Sequence, residues 1–435
     1  MLPDPDNRQF RLTSEALENT NDCFLVTGKA GTGKSTLLKH FAQTSRKTCV
    51  VLAPTGIAAI NAGGMTVHSF FRFPPRPLIY EDEEIAQFPR YSEKYKMIQQ
   101  LDCIIIDEVS MLRADIIDAI DHSLRINGGN PQLPFGGKQL IFFGDVFQLE
   151  PVTNNSEIEQ LLFSGFYESP YFFSAEVFKK VHLHCIDLKK IYRQSDEGFI
   201  NILNNIRTNS VTETDFETLN NRYNHSQQPT EDFTVTLATT NYIAGSINDQ
   251  ELRKIDKPVF EYRGEIEGEF NEKNLPTDYC LQLKEGAQLV FIKNHPAGKW
   301  VNGTIAKIHC LDKDKIEVML NNGDIEEITP ASWEHKRYVW DQKNKRVSSQ
   351  VLGTYKQYPV KLAWAITIHK SQGLTFDKVV IELGRGTFAH GQLYVALSRC
   401  RSIEGITLMS RITQKDLIVD SRVLKFARNF MSEEI

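Results

Sequence analysis

The chain has 435 residues, of which 41% are hydrophobic and 24% charged, with a formal net charge of −5 and seven cysteines. That length supports two to four domains with cores of their own, while the absence of any apolar run near ~20 residues excludes an ordinary spanning helix. The acidic balance argues against a protein that coats DNA by bulk charge, and scattered cysteines without a C-x-x-C pair fit a reducing compartment better than a disulfide framework.

The opening "MLPDPDNRQF" has no basic region followed by an apolar one, so no signal peptide is read and a cytoplasmic location is expected. The first strong element is Phe24-Leu25-Val26, a strand-like run leading into "GKAGTGKS" from Gly28 to Ser35. Thr36 to Phe41 then reads as the start of an amphipathic helix. Gly28, Gly31 and Gly33 let backbone N–H groups converge on phosphate oxygens at a helix N-terminus. Lys34 reaches the β- and γ-phosphates, the Ser35 hydroxyl ligates Mg²⁺, and Thr36 follows in the first helical turn. The chain therefore binds ATP or a relative. The loop alone leaves open whether the nucleotide is a switch, a phosphoryl donor or a fuel.

From about residue 20 to 150, apolar strands alternate with helical stretches, as in an α/β domain. Cys49–Thr55, Leu101–Met111 and Lys138–Asp145 are near-continuous apolar runs that suit parallel strands covered on both faces. "IIIDE" puts Asp107 and Glu108 at the end of such a strand, where loops meet phosphates. Asp107 suits Mg²⁺ and Glu108 suits a general base that polarises water. Asp145 and Gln148 end the next run, and Gln148 is placed to feel the γ-phosphate.

Between Gly64 and Lys96 the pattern breaks into an excursion with four prolines and an acidic run. Phe73, Pro74, Pro75, Pro77, Phe88 and Pro89 could make a stiff wedge, whereas "EDEE" fits a solvated loop. A second α/β pattern starts near Leu183, where "HLHC" alternates like a strand and reads as core histidines rather than a metal site. From about Asn248 to Gly353 the period shortens toward two, with Asn322-Gly323 as a type I′ hairpin signal. Trp333–Arg346 interleaves basic and aromatic residues, which suits a solvated hairpin face as well as nucleic-acid contact. Two distant arginines, Arg193 in "IYRQSD" and Arg399 in "YVALSRCRS", are candidates to stabilise phosphoryl charge from another domain.

With these blocks in place the chain closely resembles superfamily 1B DNA helicases of the Pif type, and more distantly RecD-like helicases. The resemblance rests on "GKAGTGKST", "APTGIAAINAGGMTVHSFF", "IIIDEVSML", "GKQLIFFGDVFQLEPV", "LATTNYIAGSIN", "AWAITIHKSQGLTFDKVVIEL" and "GQLYVALSRCRS", in the family's order. It implies an α/β fold of two RecA-like P-loop domains. The first would span 1–63 and 97–182, with a wedge-like insertion at 64–96. The second would span 183–247 and 354–435, with an SH3-like β-barrel insertion at 248–353.

The same resemblance implies an ATP-dependent 5′-to-3′ DNA helicase, a monomer acting on single strands, forks or structured DNA. Lys34, Glu108, Gln148, Arg193 and Arg399 would carry hydrolysis with ATP and Mg²⁺, and Gly373 would sit in a phosphate-sensing loop. Thr55, His68, Thr239, Asn241, His369, Lys370 and Ser371 would contact DNA. The family's adenine-reading glutamine has no counterpart in "LTSEAL", and Gln9 is the nearest candidate. A RecD-like subunit of a nuclease complex and a nucleotide-gated binding module are the alternative readings.

Overall fold

Four apolar runs, flanked by an alternating strand at one edge and a two-residue strand at the other, associate into one sheet, the four being covered on both faces. The six strands are β1 (Cys23–Gly28), β2 (Cys49–Ala53), β3 (Met65–Thr66), β4 (Cys103–Ile106), β5 (Gln139–Phe143) and β6 (Leu183–Leu188). The computed structural model, which describes residues 4, 6–79, 81–151, 159, 162–194, 196–224, 233–270, 275–313, 315–341 and 346–430, arranges them in the order β3-β2-β4-β5-β1-β6. Every pairing is parallel. The loops after β1, β4 and β5 therefore emerge at one edge, which brings "GKAGTGKS", Asp107-Glu108 and Asp145–Gln148 together.

The sequence-based border at residue 182/183 cuts this sheet. β6 pairs with β1 from Cys23↔Leu183 to Gly28↔Leu188, so the first unit keeps a strand that chain order suggested for the second. "HLHC" lies in β6, where the His184 ring packs 5.5 Å from Phe24. Among the described residues no cluster of three or more His, Cys, Asp or Glu side chains is arranged to hold a metal ion, at β6 or elsewhere. Cys49 and Cys103 face each other in register on β2 and β4 and are joined as a disulfide. A pairing across 54 residues of chain is not readable from cysteine spacing.

The excursion after β3 is part of the core rather than a projection. Phe73, Leu78, Ile85 and Phe88 are buried in the same cluster as the helix Ala114–Ile126. That helix holds the excursion by polar side chains. Asp115 accepts from the Leu78 N–H at 2.9 Å, and Asn127 just beyond the helix accepts from the Phe88 N–H at 2.7 Å. Asn127 also donates to the Ala86 carbonyl, and Arg76 grips Asp82 through two 2.8 Å bonds. The wedge assignment of Phe73 and Phe88 is thus corrected: their rings fill the core. The excursion closes with the helix Glu93–Gln100, which runs past the expected limit at 96.

A second parallel sheet orders Ala365–Thr367, Val235–Ala238, Val379–Glu382 and Ile406–Leu408. Its helix Asn241–Lys254 is N-capped by the Thr240 hydroxyl and runs on past residue 248. Antiparallel strands then follow from Phe260, around a separate core with Leu289, Phe291 and Trp300. Val360–Leu362 still pairs with Gln288–Phe291, so this insertion runs beyond the expected end at 353. The hairpin at 321–324 forms, but only Gly323 has positive φ (86°), whereas a type I′ turn needs two such residues. The long hairpin Ala331–Asp341/Arg346–Gln357 packs against the helix Glu93–Gln100, so the insertion touches the first unit. Side chains at 337–349, which include most of the basic-aromatic stretch, lie outside the described residues. Among the described residues no helix is long and apolar enough to cross a membrane.

Candidate nucleotide and DNA site

β1 ends in Gly28, where a Cβ would stand 2.7 Å from Thr32 Oγ1 and 2.9 Å from the Leu188 carbonyl. At Gly31 (φ 82°) a Cβ would meet Arg193 Cβ at 2.4 Å. Gly33 is left-handed and starts the helix Lys34–Thr44 with no side-chain cap, which leaves that helix end open to an anion. Thr36 lies in its first turn, partly covered. Lys34 Nζ donates to the carbonyls of Gly28 (2.7 Å) and Lys29 (3.0 Å), curling the loop around its own ammonium. Burial pulls that ammonium below its ordinary range, and the charges of Asp145 and Glu108 pull it back.

Asp107 and Glu108 follow β4 directly. Glu108 takes a left-handed φ of 50°, a strained conformation for a residue with a side chain. Burial raises the Asp107 carboxyl to about 7, with the neighbouring Glu108 charge adding to the effect. Burial raises Glu108 as well, opposed by Lys34 and Arg399. A cation bound beside this pair would offset the cost of burying its charge and favour the ionised form. Ser35 and Asp107 line one cleft and offer oxygen donors, the set a hard cation prefers.

The two arginines come from opposite sides. Arg193 follows β6, donates to the Ser398 carbonyl at 3.2 Å and lies beside Gly31. Burial lowers it to about 9, with Arg399 repelling it. Arg399 follows the helix Gln392–Leu397 of the second unit, is 2% exposed, and bonds the Val395 carbonyl and the Ser398 hydroxyl. Its charge is felt by Glu108. Gln148 is buried in the turn that follows Asp145, and its backbone N–H bonds the Asp145 carbonyl at 2.9 Å.

A cleft of about 890 Å³ runs outward from this floor. It joins Ser35, Asp107 and Glu108 to Thr55, to His369, Lys370 and Gly373 of the second unit, and to Lys293, Trp333 and Lys336 of the insertion. Gly373 adopts φ 77° there, with open space around it. Thr55 caps the helix Gly56–Ala62 through the Ala58 N–H.

Four expected contacts fall elsewhere. The Ser371 hydroxyl is fully buried and donates to the Ile368 carbonyl at 2.7 Å, so it shapes its turn instead of facing a ligand. Thr239 is buried, with its hydroxyl 3.4 Å from the Leu383 carbonyl. His68 lies outside the cleft, edge-on to Phe73 at 6.2 Å. Gln9 spends both amide atoms on backbone, donating to the Asp187 carbonyl (2.8 Å) and accepting from the Lys189 N–H (3.0 Å). It is a tie to β6 and is not poised to read a base. Asn241 is exposed at the start of its helix.

Sequence reading missed three residues here. Gln194 donates to the Ser398 and Cys400 carbonyls and so braces the Arg399 turn. Arg207 makes a buried 3.2 Å ion pair with Asp145 and lies 4.2 Å over the Phe147 ring. Tyr394 bonds both the phosphate loop and Asp145. Arg207 ends an amphipathic helix, where an arginine is ordinarily solvated, and Tyr394 sits in an apolar run that reads as core. No local signal marks either one.

The PIF1-like helicase model matches residues 6–217, and the UvrD-like helicase C-terminal domain model matches residues 362–402. The chain is 33% identical over 426 residues to the ATP-dependent DNA helicase Pif1 of Bdellovibrio bacteriovorus, covering 96% of this chain and 90% of that protein. It is 31% identical to the ATP-dependent DNA helicase PIF1 of Xenopus laevis, covering 98% of this chain and 65% of that longer protein. Among solved structures, Bacteroides sp Pif1 in complex with ADP-AlF4 has a TM-score of 0.89 at 35% identity, covering 98% of this chain and 97% of that one. With a relative of this identity matched along nearly its whole length, the chain belongs to the PIF1-like helicase family.

Proposed function

We propose that this chain is an ATP-dependent DNA helicase that moves 5′ to 3′ along a single strand and parts duplex or structured DNA in replication, repair or recombination. The observation that carries this reading is the meeting of Arg193 and Arg399 at Ser398, beside the phosphate loop. One arginine belongs to each unit, so charge on the transferring phosphoryl group would draw the two units together, and its loss would release them. That supports a fuel rather than a switch. Opening a base pair costs about 1.4 kcal/mol, which one ATP readily exceeds.

In this reading Glu108 takes a proton from the attacking water, Lys34 holds the β- and γ-phosphate charge, and Gln148 orients the water or the γ-phosphate. Mg²⁺, held by Ser35 and Asp107, would neutralise phosphate charge. Thr55, His369, Lys370 and the insertion's Lys293 and Lys336 would grip the strand through its backbone, as a motor indifferent to sequence requires. The antiparallel insertion is read as the SH3-like barrel of the family. The excursion supplies the separating edge through its exposed Pro75, Ile79 and Tyr91 rather than its buried rings. The enzyme would work as a monomer with the nucleoid in the cytoplasm. The test is unwinding of paired substrates with a 5′ or a 3′ single-stranded tail. Unwinding only with the 5′ tail is expected, and unwinding from the 3′ tail would reverse the polarity.

A further inference from the structure

Tyr394 also has a foot in both units, and it works at a different place from the arginines. Its hydroxyl accepts from the Ala30 N–H of the phosphate loop at 3.0 Å and donates to Asp145 Oδ2 at 3.1 Å. Ala30 belongs to the first unit and Tyr394, 364 residues away along the chain, to the second, so the bond spans the two units. The other Asp145 oxygen accepts from Arg207 at 3.2 Å and from the Phe147 N–H at 3.2 Å. Asp145 is thus a buried carboxylate with donors on both oxygens, one of them the tyrosine.

The surroundings make this contact rigid. Tyr394 lies in the helix Gln392–Leu397, two residues into it, and Arg399 lies two residues past its end. Gly391 caps that helix at φ 73°, and a Cβ on it would stand 2.5 Å from the Phe147 carbonyl and 2.6 Å from the Gln148 carbonyl. The turn carrying Gln148 is therefore pressed against the base of the helix that carries both Tyr394 and Arg399. His390, one residue earlier and 1% exposed, has Nε2 3.2 Å from the Val146 carbonyl and its Nδ1 accepts from the Asp420 N–H. Any shift of Asp145–Gln148 or of the phosphate loop must move this helix or break the Tyr394 bonds.

We propose that Tyr394 is a positioning residue that transmits the state of the nucleotide to the DNA grip. Its hydroxyl locks the phosphate loop and the Asp145–Gln148 turn to the helix bearing Arg399, so that closure over the γ-phosphate and the position of the second unit become one event. Arg207 serves the lock by holding Asp145 charged as its acceptor. The side chain touches no reacting atom. It acts through Ala30 and Asp145. This inference rests on the helicase reading above and adds a residue that the arginine pair does not require.

A coupling of this kind is a ratio of affinities and is reciprocal between the two ligands. The experiment measures the dissociation constant for a fluorescent single-stranded oligonucleotide with and without ADP–aluminium fluoride, in the wild type and in Tyr394→Phe. The phenylalanine keeps the ring and removes both hydroxyl bonds. In the wild type the two constants should differ by at least 5-fold. In Tyr394→Phe the ratio should fall to within 2-fold of unity, with the nucleotide-free constant unchanged. Asp145→Asn, which can still accept from Tyr394 but loses the carboxylate charge that pairs with Arg207, should give an intermediate ratio and stands in if the first variant does not fold. A wild-type ratio retained in a folded variant overturns the role of Tyr394 and leaves the helicase reading intact. A wild-type ratio of one overturns both.

Discussion

Arg193 and Arg399 share Ser398, one through its backbone carbonyl and the other through its hydroxyl, and neither makes an ion pair among the described residues. Two buried guanidinium groups side by side repel, and an incoming phosphate relieves that repulsion. Arg193→Ala and Arg399→Ala should each cut DNA-stimulated ATP turnover by about 10³-fold. Affinity for single-stranded DNA without nucleotide should stay near the wild-type value. Fluorescence anisotropy with a coupled ATPase assay separates the two effects. A variant that hydrolyses normally but no longer holds DNA would move that arginine out of the nucleotide cleft.

The strained backbone at Glu108 aims its carboxylate into the cleft lined by Ser35 and Asp107. Glu108→Gln keeps the shape and loses the base. It should bind a fluorescent ATP analogue as the wild type does while turnover falls by about 10²–10⁴-fold. Lys34→Ala should lose both binding and turnover, because the β- and γ-phosphates lose their cation. Near-normal hydrolysis in Glu108→Gln would assign the base elsewhere.

The pH dependence of stability has a definite sign. Burial, with the Glu108 charge adding to it, holds Asp107 at about 7 against an ordinary 3.8. The nucleotide-free fold therefore prefers the protonated acid. That preference contributes its full stability below the unfolded carboxyl range and is lost as pH rises through about 7. Asp107→Asn stays neutral at every pH, so it should raise the thermal midpoint of nucleotide-free protein more at pH 8 than at pH 5. Each unit of displacement corresponds to about 1.4 kcal/mol. Scanning calorimetry that found equal gains at both pH values would refute the assignment.

The excursion yields a paired prediction. Phe88 is 5% exposed in the main core, and Phe88→Ala should cost about 3–5 kcal/mol. Tyr91 is 83% exposed, and Tyr91→Ala should change stability by no more than about 0.5 kcal/mol. If the exposed edge parts the strands, Tyr91→Ala combined with Ile79→Ala should slow fork unwinding several-fold and leave single-strand-stimulated ATPase unchanged. Unwinding at the wild-type rate would return the segment to a structural role.

What the sequence determined on its own is local. A phosphate loop is a run of eight residues whose glycines and lysine act within one turn of chain, so Gly28, Gly31, Gly33, Lys34 and Ser35 are legible as a unit. Strand-end positions carry the same information, because an apolar run that stops at Asp107-Glu108 or at Asp145 declares both its burial and its exit. What only the tertiary structure decided is partnership across distance. Strand β6 joined the first sheet, although an alternating pattern says that a strand exists and not which edge it will pair. Phe73 and Phe88 became core because Asp115 and Asn127 bind the backbone that carries them, and an exposed and a buried phenylalanine look alike in sequence. Ser371 and Gln9 carry the polar groups that a binding site wants, but their hydrogen bonds go to carbonyls and N–H groups of the framework itself. Tyr394 reaches Asp145 across 249 residues, and Arg193 reaches Ser398 across 205. Periodicity reports how a residue faces the interior and is silent on who waits there, since burial is set by neighbours a few positions away and partners are set by how whole units pack.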